Sequence, residues 1–146
     1  MIRQDAAELQ GAGYPFDKFA CKLFTLYHFD EQLNGTYYDA EAVINTTAEL
    51  TRRGWIKEEL SIYEKMKGQN YTRLICNYLG IPAVDVVYKP ASYQCQVNEL
   101  EILKLWKPGF SHFVPGNGRS DYSWDSLGIR RQQKDYILKS KRIIKL

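Results

Sequence analysis

Histidine and cysteine are scarce in this sequence, which has two histidines and three cysteines among 146 residues. The cysteines, Cys21, Cys76 and Cys95, are odd in number and include no closely spaced pair. This pattern argues against a disulfide framework and against a zinc site. Unpaired cysteines are most simply explained by a reducing compartment.

Long apolar runs and strong net charge are also missing. Nowhere do about 18 apolar residues run together, and the polar N-terminus has no signal-peptide pattern, so we expect a cytoplasmic protein that does not associate with membranes. The net charge of +3 is too small to indicate nucleic-acid binding by itself. A chain of 146 residues with 45% hydrophobic residues and no internal repeat fits one domain covering residues 1–146.

The hydrophobic pattern changes from helical to alternating near residue 80. Helices are predicted over residues 18–32 with Asp17 as N-cap, from Asp39 to the stop at Gly54, and over residues 70–79. Strands are predicted over five short segments rich in Val, Ile, Tyr and Trp: 83–88, 100–106, 110–116, 121–126 and 139–146. The order predicts an α+β fold, with N-terminal helices packed on a C-terminal antiparallel sheet.

Three residues could together form a catalytic triad. Cys21 lies near the start of the first predicted helix, where the helix N-terminus favours a thiolate. His112 lies on a predicted strand, and the turn at Gly116-Asn117-Gly118 leads to the next predicted strand, which carries Asp125. In contact, they would supply a nucleophile, a general base and a carboxylate that accepts the His112 Nδ1–H.

Each triad residue also has a purely structural interpretation. Cys21 could be a buried small hydrophobic residue, His112 a core histidine, and Asp125 a turn residue, with Asp121 as the alternative partner of the histidine. The second histidine, His28, follows Cys21 by seven residues on the same predicted helix, about 10 Å along its axis. It cannot be the partner of Cys21 on an unbroken helix. Cys76 and Cys95 are interpreted as structural.

Three stretches resemble the papain-like cysteine peptidases: ACKLFTL (20–26), SHFVPGNG (111–118) continuing to WDSLG (124–128), and the ending DYILKSKRI (135–143). The branch they resemble lies near the bacteriocin-processing peptidases and small uncharacterised relatives encoded by phages and spirochaete plasmids. The resemblance implies a minimal papain-like domain, a peptide or protein substrate and no metal or organic cofactor. It also implies a phage or mobile-element origin, so that the host cytoplasm or a virion is a further possible location.

The chain departs from this family at two positions. Lys22 follows the cysteine where the family has glycine, and Pro15 stands where the family has the glutamine that donates to the oxyanion. Gln10 and Gln4 are the candidates to replace that donor. If the active site is open, Lys22 and Tyr14-Pro15 should lie at the rim of its groove.

The sequence therefore predicts an enzyme, a thiol hydrolase or acyl transferase that acts on an amide or ester through Cys21, His112 and Asp125. Two alternatives remain open at this point. One is a peptidoglycan amidohydrolase, and the other is a catalytically inert papain-like module that serves as a phage interaction partner.

The C-terminal segment is basic. Seven cations lie between residues 130 and 146, namely Arg130, Arg131, Lys134, Lys139, Lys141, Arg142 and Lys145. Alternating Lys and Arg on a last strand is more typical of a solvated face or a protected sheet edge than of a nucleic-acid patch. We therefore expect no nucleic acid among the partners.

Overall fold

The structure is a computed structural model that describes residues 1–63, 68–128 and 135–146. Within these ranges three α-helices precede and pack on a four-stranded antiparallel sheet, so the predicted α+β arrangement is confirmed. The elements are a 3-10 turn (Ala7–Leu9), α1 (Cys21–Asn34), α2 (Ala40–Arg52), α3 (Tyr71–Tyr78), β1 (Asp85–Pro90), β2 (Glu99–Lys107), β3 (Phe110–Pro115) and β4 (Ile137–Lys145).

Helix α1 begins at Cys21, three residues later than predicted. Asp17 does not cap it, since the N-cap is Ala20 and no side chain supplies a capping bond. Phe19, which falls within the predicted helix over residues 18–32, lies before the observed helix and is 60% exposed. The helix itself is buried on almost every side, through Leu23, Phe24, Leu26, Tyr27 and Phe29. It is the central helix of the core and not an amphipathic surface helix.

Helices α2 and α3 begin where short polar side chains supply caps. The Asp39 carboxylate accepts from the backbone N–H of Ala42 at 2.9 Å, and Asn70 accepts from Arg73 at 3.2 Å. Gly54 follows α2 with a φ of 74°, a left-handed conformation that glycine adopts without strain and that ends a helix. These predicted boundaries are confirmed.

The strand order is β1-β4-β2-β3, so the last strand lies between two others. The expectation that this strand forms a protected edge is therefore wrong. The solvated face holds for Lys139, which is exposed, but not for Lys141. Lys141 on β4 is fully buried, because it pairs with Glu101 on β2 at 2.9 Å. Arg130, Arg131 and Lys134, which belong to the same basic segment, lie outside the described residues.

The two faces of the sheet bury different clusters. Ile102, Ile144 and Val86 belong to the main core with the helices. Leu103, Leu105 and Val114 form a smaller cluster on the opposite face, as the alternation along a strand requires, with Tyr122, Tyr136 and Leu138 packed on them.

The strand predicted over residues 121–126 does not form. The chain does turn back after β3, but it makes one isolated bridge, between Gly116 and Tyr122, in which Ser123 N–H donates to the Pro115 carbonyl and Asn117 N–H donates to the Asp121 carbonyl. Farther along this edge of β3, the N-terminus of α1 occupies the place of a neighbouring strand. The backbone N–H of Phe113 donates to the Cys21 sulfur there.

No helix within the described ranges is both long enough and apolar enough to cross a membrane.

Candidate active site

Cys21 is the first residue of α1 and lies against the outer edge of β3. Its Sγ accepts a hydrogen bond from the Phe113 N–H at 3.4 Å, and its side chain lines a cavity although the residue is only 7% exposed. As the first helical residue, it belongs to the turn whose backbone N–H groups have no intrahelical acceptor. The sulfur therefore lies at a helix N-terminus and accepts one backbone N–H from the edge strand.

His112 lies in the middle of β3, opposite Leu105 of β2, and is 1% exposed. Its Nε2 is 2.8 Å from Oδ1 of Asp125, so the predicted pairing is present. The prediction named the wrong ring nitrogen, however, because Asp125 contacts Nε2 and not Nδ1. The Cys21 side chain lies near enough to the ring to raise the pKa of His112. With Nε2 on the carboxylate, Nδ1 is the ring nitrogen left for other partners.

The charge state of His112 follows from these contacts. Burial alone would lower the pKa of His112, but the hydrogen bonds to Asp125 and Cys21 outweigh it and raise the pKa to about 9. The imidazolium is thus the dominant form at neutral pH, held between a carboxylate and a sulfur.

Asp125 is fixed by its own backbone. Its Oδ1 also accepts the Leu127 N–H at 2.9 Å, and its carbonyl accepts the Gly128 N–H at 3.1 Å. The alternative, Asp121, is exposed and accepts the N–H of the adjacent Tyr122. The carboxylate contacting His112 is therefore that of Asp125.

Helix α1, which carries Cys21, also supports this site through His28. The His28 ring stacks on Trp124, with centroids 5.1 Å apart and planes inclined by 10°. Burial, aided by the charge of the N-terminal ammonium, lowers the pKa of His28 to about 4, so the stacked ring is neutral. The histidine that is not part of the triad thus holds the residue next to Asp125.

The two candidate oxyanion donors lie apart from the cysteine cavity. Gln4 is fully buried, donates from Nε2 to the Phe16 carbonyl at 3.0 Å, and accepts a short hydrogen bond from Ser126. Gln10 is exposed at the end of the 3-10 turn. Neither is among the residues that line the cavity at Cys21. Gln4 instead ties the N-terminal segment to the residue after Asp125.

The cavity at Cys21 has a volume of about 300 Å³ and is bordered by α1, the segment near Lys57 and the sheet. Lys22 lines it as predicted, whereas Tyr14 and Pro15 do not. Sequence reasoning missed two features here: the Phe113 N–H, and the gathering of five cations at the cavity, Lys18, Lys22, Lys57, Lys104 and Arg142. A backbone donor leaves no trace in a residue pattern, and the lysines come from segments far apart in the chain.

No group of three His, Cys, Asp or Glu side chains in the described parts of the chain is arranged to hold a metal ion. The site is thus built from a helix N-terminus, an edge strand and the loop after it, which together present a thiol, an imidazole and a carboxylate in series.

The chain belongs to the family described as "Protein of unknown function, DUF261", which matches residues 2–146. No curated protein and no solved structure matches the chain.

Proposed function

We propose that this protein is a thiol hydrolase or acyl transferase of papain-like type that acts on an amide or ester bond. The observation that carries this proposal is the buried His112–Asp125 contact at 2.8 Å, with Cys21 at a helix N-terminus near enough to the same imidazole to raise its pKa. A nucleophile, a base and an orienting group in contact are the signature of covalent acyl catalysis. The order of elements along the chain, helices followed by an antiparallel sheet, agrees with the papain-like resemblance of the sequence.

The proposed first step is attack by the Cys21 sulfur on the acyl carbon. The S–C bond forms, the carbonyl electron pair moves to oxygen, and its return expels the leaving amine or alkoxide, which takes the proton from His112. A thioester and a neutral imidazole remain. His112 then removes a proton from water or from an acceptor amine, whose attack on the thioester releases Cys21 and restores the imidazolium–thiolate pair.

The oxyanion of each tetrahedral intermediate needs donors beside the sulfur. The Cys21 backbone N–H, in the first turn of α1, is positioned for this role by its place in the helix. A second donor such as Gln4 or Gln10 remains a prediction. Loss of one oxyanion donor typically costs about 10²–10³ in rate, so a site with one donor would be a slow enzyme.

An inert papain-like interaction module is the second candidate. Its support is the engagement of Gln4 by Phe16 and Ser126, which leaves the family's amide donor without a replacement in the cavity lining. The buried His112–Asp125 pair beside Cys21 favours the enzyme. A peptidoglycan amidohydrolase differs from the first proposal only in substrate.

Selective alkylation tests the activated thiol. Iodoacetamide at about pH 6 should label Cys21 first, because its sulfur lies beside the His112 imidazolium and accepts the Phe113 N–H. Cys95 is the internal control, since it is more exposed than Cys21 but burial raises its pKa to about 11. Burial also raises the pKa of Cys76, to about 12. Faster labelling of Cys95 than Cys21 would show that exposure, and not activation, governs the reaction.

Turnover requires a second measurement. The native protein and Cys21→Ser should be incubated with peptide, isopeptide, ester and peptidoglycan libraries and the products identified by mass spectrometry. A product that forms only with Cys21 present supports the enzyme and identifies the bond. If no substrate class gives a Cys21-dependent product, although Cys21 is alkylated selectively, the result would favour the inert module.

A further inference from the structure

The buried side chain of Gln4 joins the two segments that carry the ends of the triad. Its Nε2 donates to the Phe16 carbonyl at 3.0 Å, and its Oε1 accepts from Ser126 Oγ. Phe16 lies five residues before Cys21, and Ser126 directly follows Asp125. One amide group therefore holds both the segment that leads to the nucleophile and the loop that carries the carboxylate.

We propose that Gln4 is a positioning residue of the triad, which sets the place of the Asp125 loop relative to the helix that presents Cys21. The proposal rests on the proposed function, because only acyl chemistry at Cys21 gives this alignment a role in a reaction. The task also differs from that of an oxyanion donor, since Gln4 acts through other residues and at the carboxylate end of the triad.

The loop that carries Asp125 depends on hydrogen bonds from two sides. Within the loop, the Leu127 N–H donates to the Asp125 carboxylate at 2.9 Å. From outside, the backbone N–H of Gln4 donates to the Ser126 carbonyl at 3.0 Å. Residues 125–128 belong to no helix or strand, so bonds of this kind take the place of a regular ladder.

Arg3 adds a contact from the same N-terminal segment. Its Nη2 donates to the Leu127 carbonyl at 2.8 Å, and its Nε and Nη2 donate to the Asp5 carboxylate, which orients the guanidinium. Gly128 lies against this guanidinium with a φ of 62°, and a Cβ there would be 2.6 Å from the guanidinium carbon. The loop therefore fits closely against residues 3–5.

Burial makes the Gln4 contacts selective for one arrangement of the loop. Gln4 is fully buried, Phe16 is 1% exposed and Ser126 is 2% exposed. A buried amide or hydroxyl that loses its partner has no water to replace it, so a displaced loop would leave polar groups unsatisfied. The Gln4 amide thus favours the loop position in which Asp125 meets His112.

Gln4→Met tests the proposal. Methionine keeps the length of the side chain, but it cannot donate to Phe16 and its sulfur is only a weak acceptor for Ser126. Iodoacetamide at about pH 6 should alkylate Cys21 more slowly by about 5-fold or more, which is the lower limit of typical coupling between two sites. NMR titration should show the pKa of His112 falling from about 9 toward its ordinary value of about 6.5.

Thr47→Val is the matched control. Thr47 is as fully buried as Gln4, and its hydroxyl bonds the Tyr27 OH at 2.8 Å rather than a residue of the site. Both variants should lower the melting temperature, because each leaves a buried polar group without its partner. Only Gln4→Met should change the alkylation rate and the His112 titration. If it lowers the melting temperature and leaves both measurements unchanged, Gln4 merely stabilises the fold and the proposal is wrong.

Ser126→Ala is the second variant, for use if Gln4→Met does not fold. It removes one hydroxyl and keeps the backbone bond from Gln4, so the fold should persist. We expect slower alkylation of Cys21 and a lower pKa of His112, as in Gln4→Met. Unchanged values in folded Ser126→Ala would equally overturn the proposal.

The His112 titration separates this proposal from the proposed function. If Cys21 of the native protein is not alkylated selectively, while the pKa of His112 still falls in the variants, Gln4 positions the Asp125 loop and only the enzyme is refuted. If Cys21 is alkylated selectively in the native protein and equally fast in both variants, with the His112 pKa unchanged, the proposed function stands and the role of Gln4 is refuted.

Discussion

At the scale of single residues, His112 is the centre of the site because it contacts both of the other groups. Its Nε2 bonds Asp125, and the carboxylate together with the nearby Cys21 raises its pKa to about 9 despite burial. A free histidine titrates near pH 6.5, so this one keeps its proton well into the alkaline range. The proton that the leaving group needs is therefore present at neutral pH.

Asp125→Asn tests this dependence. The amide oxygen can still accept the Leu127 N–H, so the fold should persist, but the carboxylate charge that supports the imidazolium is lost. We expect the pKa of His112, followed by NMR titration, to fall, and turnover on any substrate found to drop by up to about 10⁴-fold. A variant that melts at a lower temperature yet keeps the His112 pKa and full activity would make Asp125 a structural residue.

At the scale of elements, the site depends on a helix end meeting a strand edge. The outer edge of β3 offers the Phe113 N–H, and the first residue of α1 accepts it. The turn after β3 is fixed to the sheet by the buried Glu101–Lys141 pair, since Glu101 also accepts from Ser120 N–H at 2.9 Å and Lys141 donates to Ser120 Oγ at 2.6 Å. Gly116 must be glycine, because a Cβ there would lie 2.4 Å from the Glu101 side chain.

Lys141→Met tests this anchoring. Removing one partner of a buried pair leaves an uncompensated charge, so we expect a loss of about 3–5 kcal/mol in the free energy of unfolding, measured by urea denaturation. The double variant Glu101→Leu/Lys141→Met should lose less, because no charge is stranded. Lys139→Met, an exposed position on the same strand, is the control and should change stability by no more than about 0.5 kcal/mol. Equal losses in the single and double variants would show that packing, and not charge, anchors the turn.

At the scale of the whole molecule, the two histidines make the free energy of unfolding depend on pH and pass through a maximum. His112 has a folded pKa of about 9, above its unfolded value, so its contribution is complete below about pH 6.5 and is lost as pH rises through 9. His28 has a folded pKa of about 4, below its unfolded value, so stability is lost as pH falls from about 6.5 to 4. The two effects together place the optimum near pH 6.5.

His28→Phe separates these two effects. Phenylalanine can keep the stack on Trp124 and removes the titrating group. The difference in unfolding free energy between about pH 6.5 and pH 4.5 should therefore be smaller in the variant than in the native protein. The alkaline loss assigned to His112 should stay the same. If the variant lost as much unfolding free energy between about pH 6.5 and pH 4.5 as the native protein, His28 would already be solvated and protonated in the folded protein.

Local patterns in the sequence determined the parts of this protein that depend on neighbouring residues. The start of α2 at Asp39, the start of α3 near residue 70 and the stop at Gly54 depend on interactions within one turn of chain, so residue order alone predicts them. The candidate roles of Cys21, His112 and Asp125 as nucleophile, base and carboxylate partner were likewise predicted from the pattern. So was the order of helices followed by strands.

Only the tertiary structure decided what depends on contacts between distant segments. Asp17 failed as a cap because the chain stays in turns until Cys21, and residues 121–126 failed to form a strand because α1 occupies the edge of β3. Lys141 is buried because β4 inserts beside β2, where Glu101 supplies its counter-charge. The choice of Nε2, the Phe113 donor and the gathering of five cations at one cavity arise in the same way, because each joins segments that only the packed fold brings together.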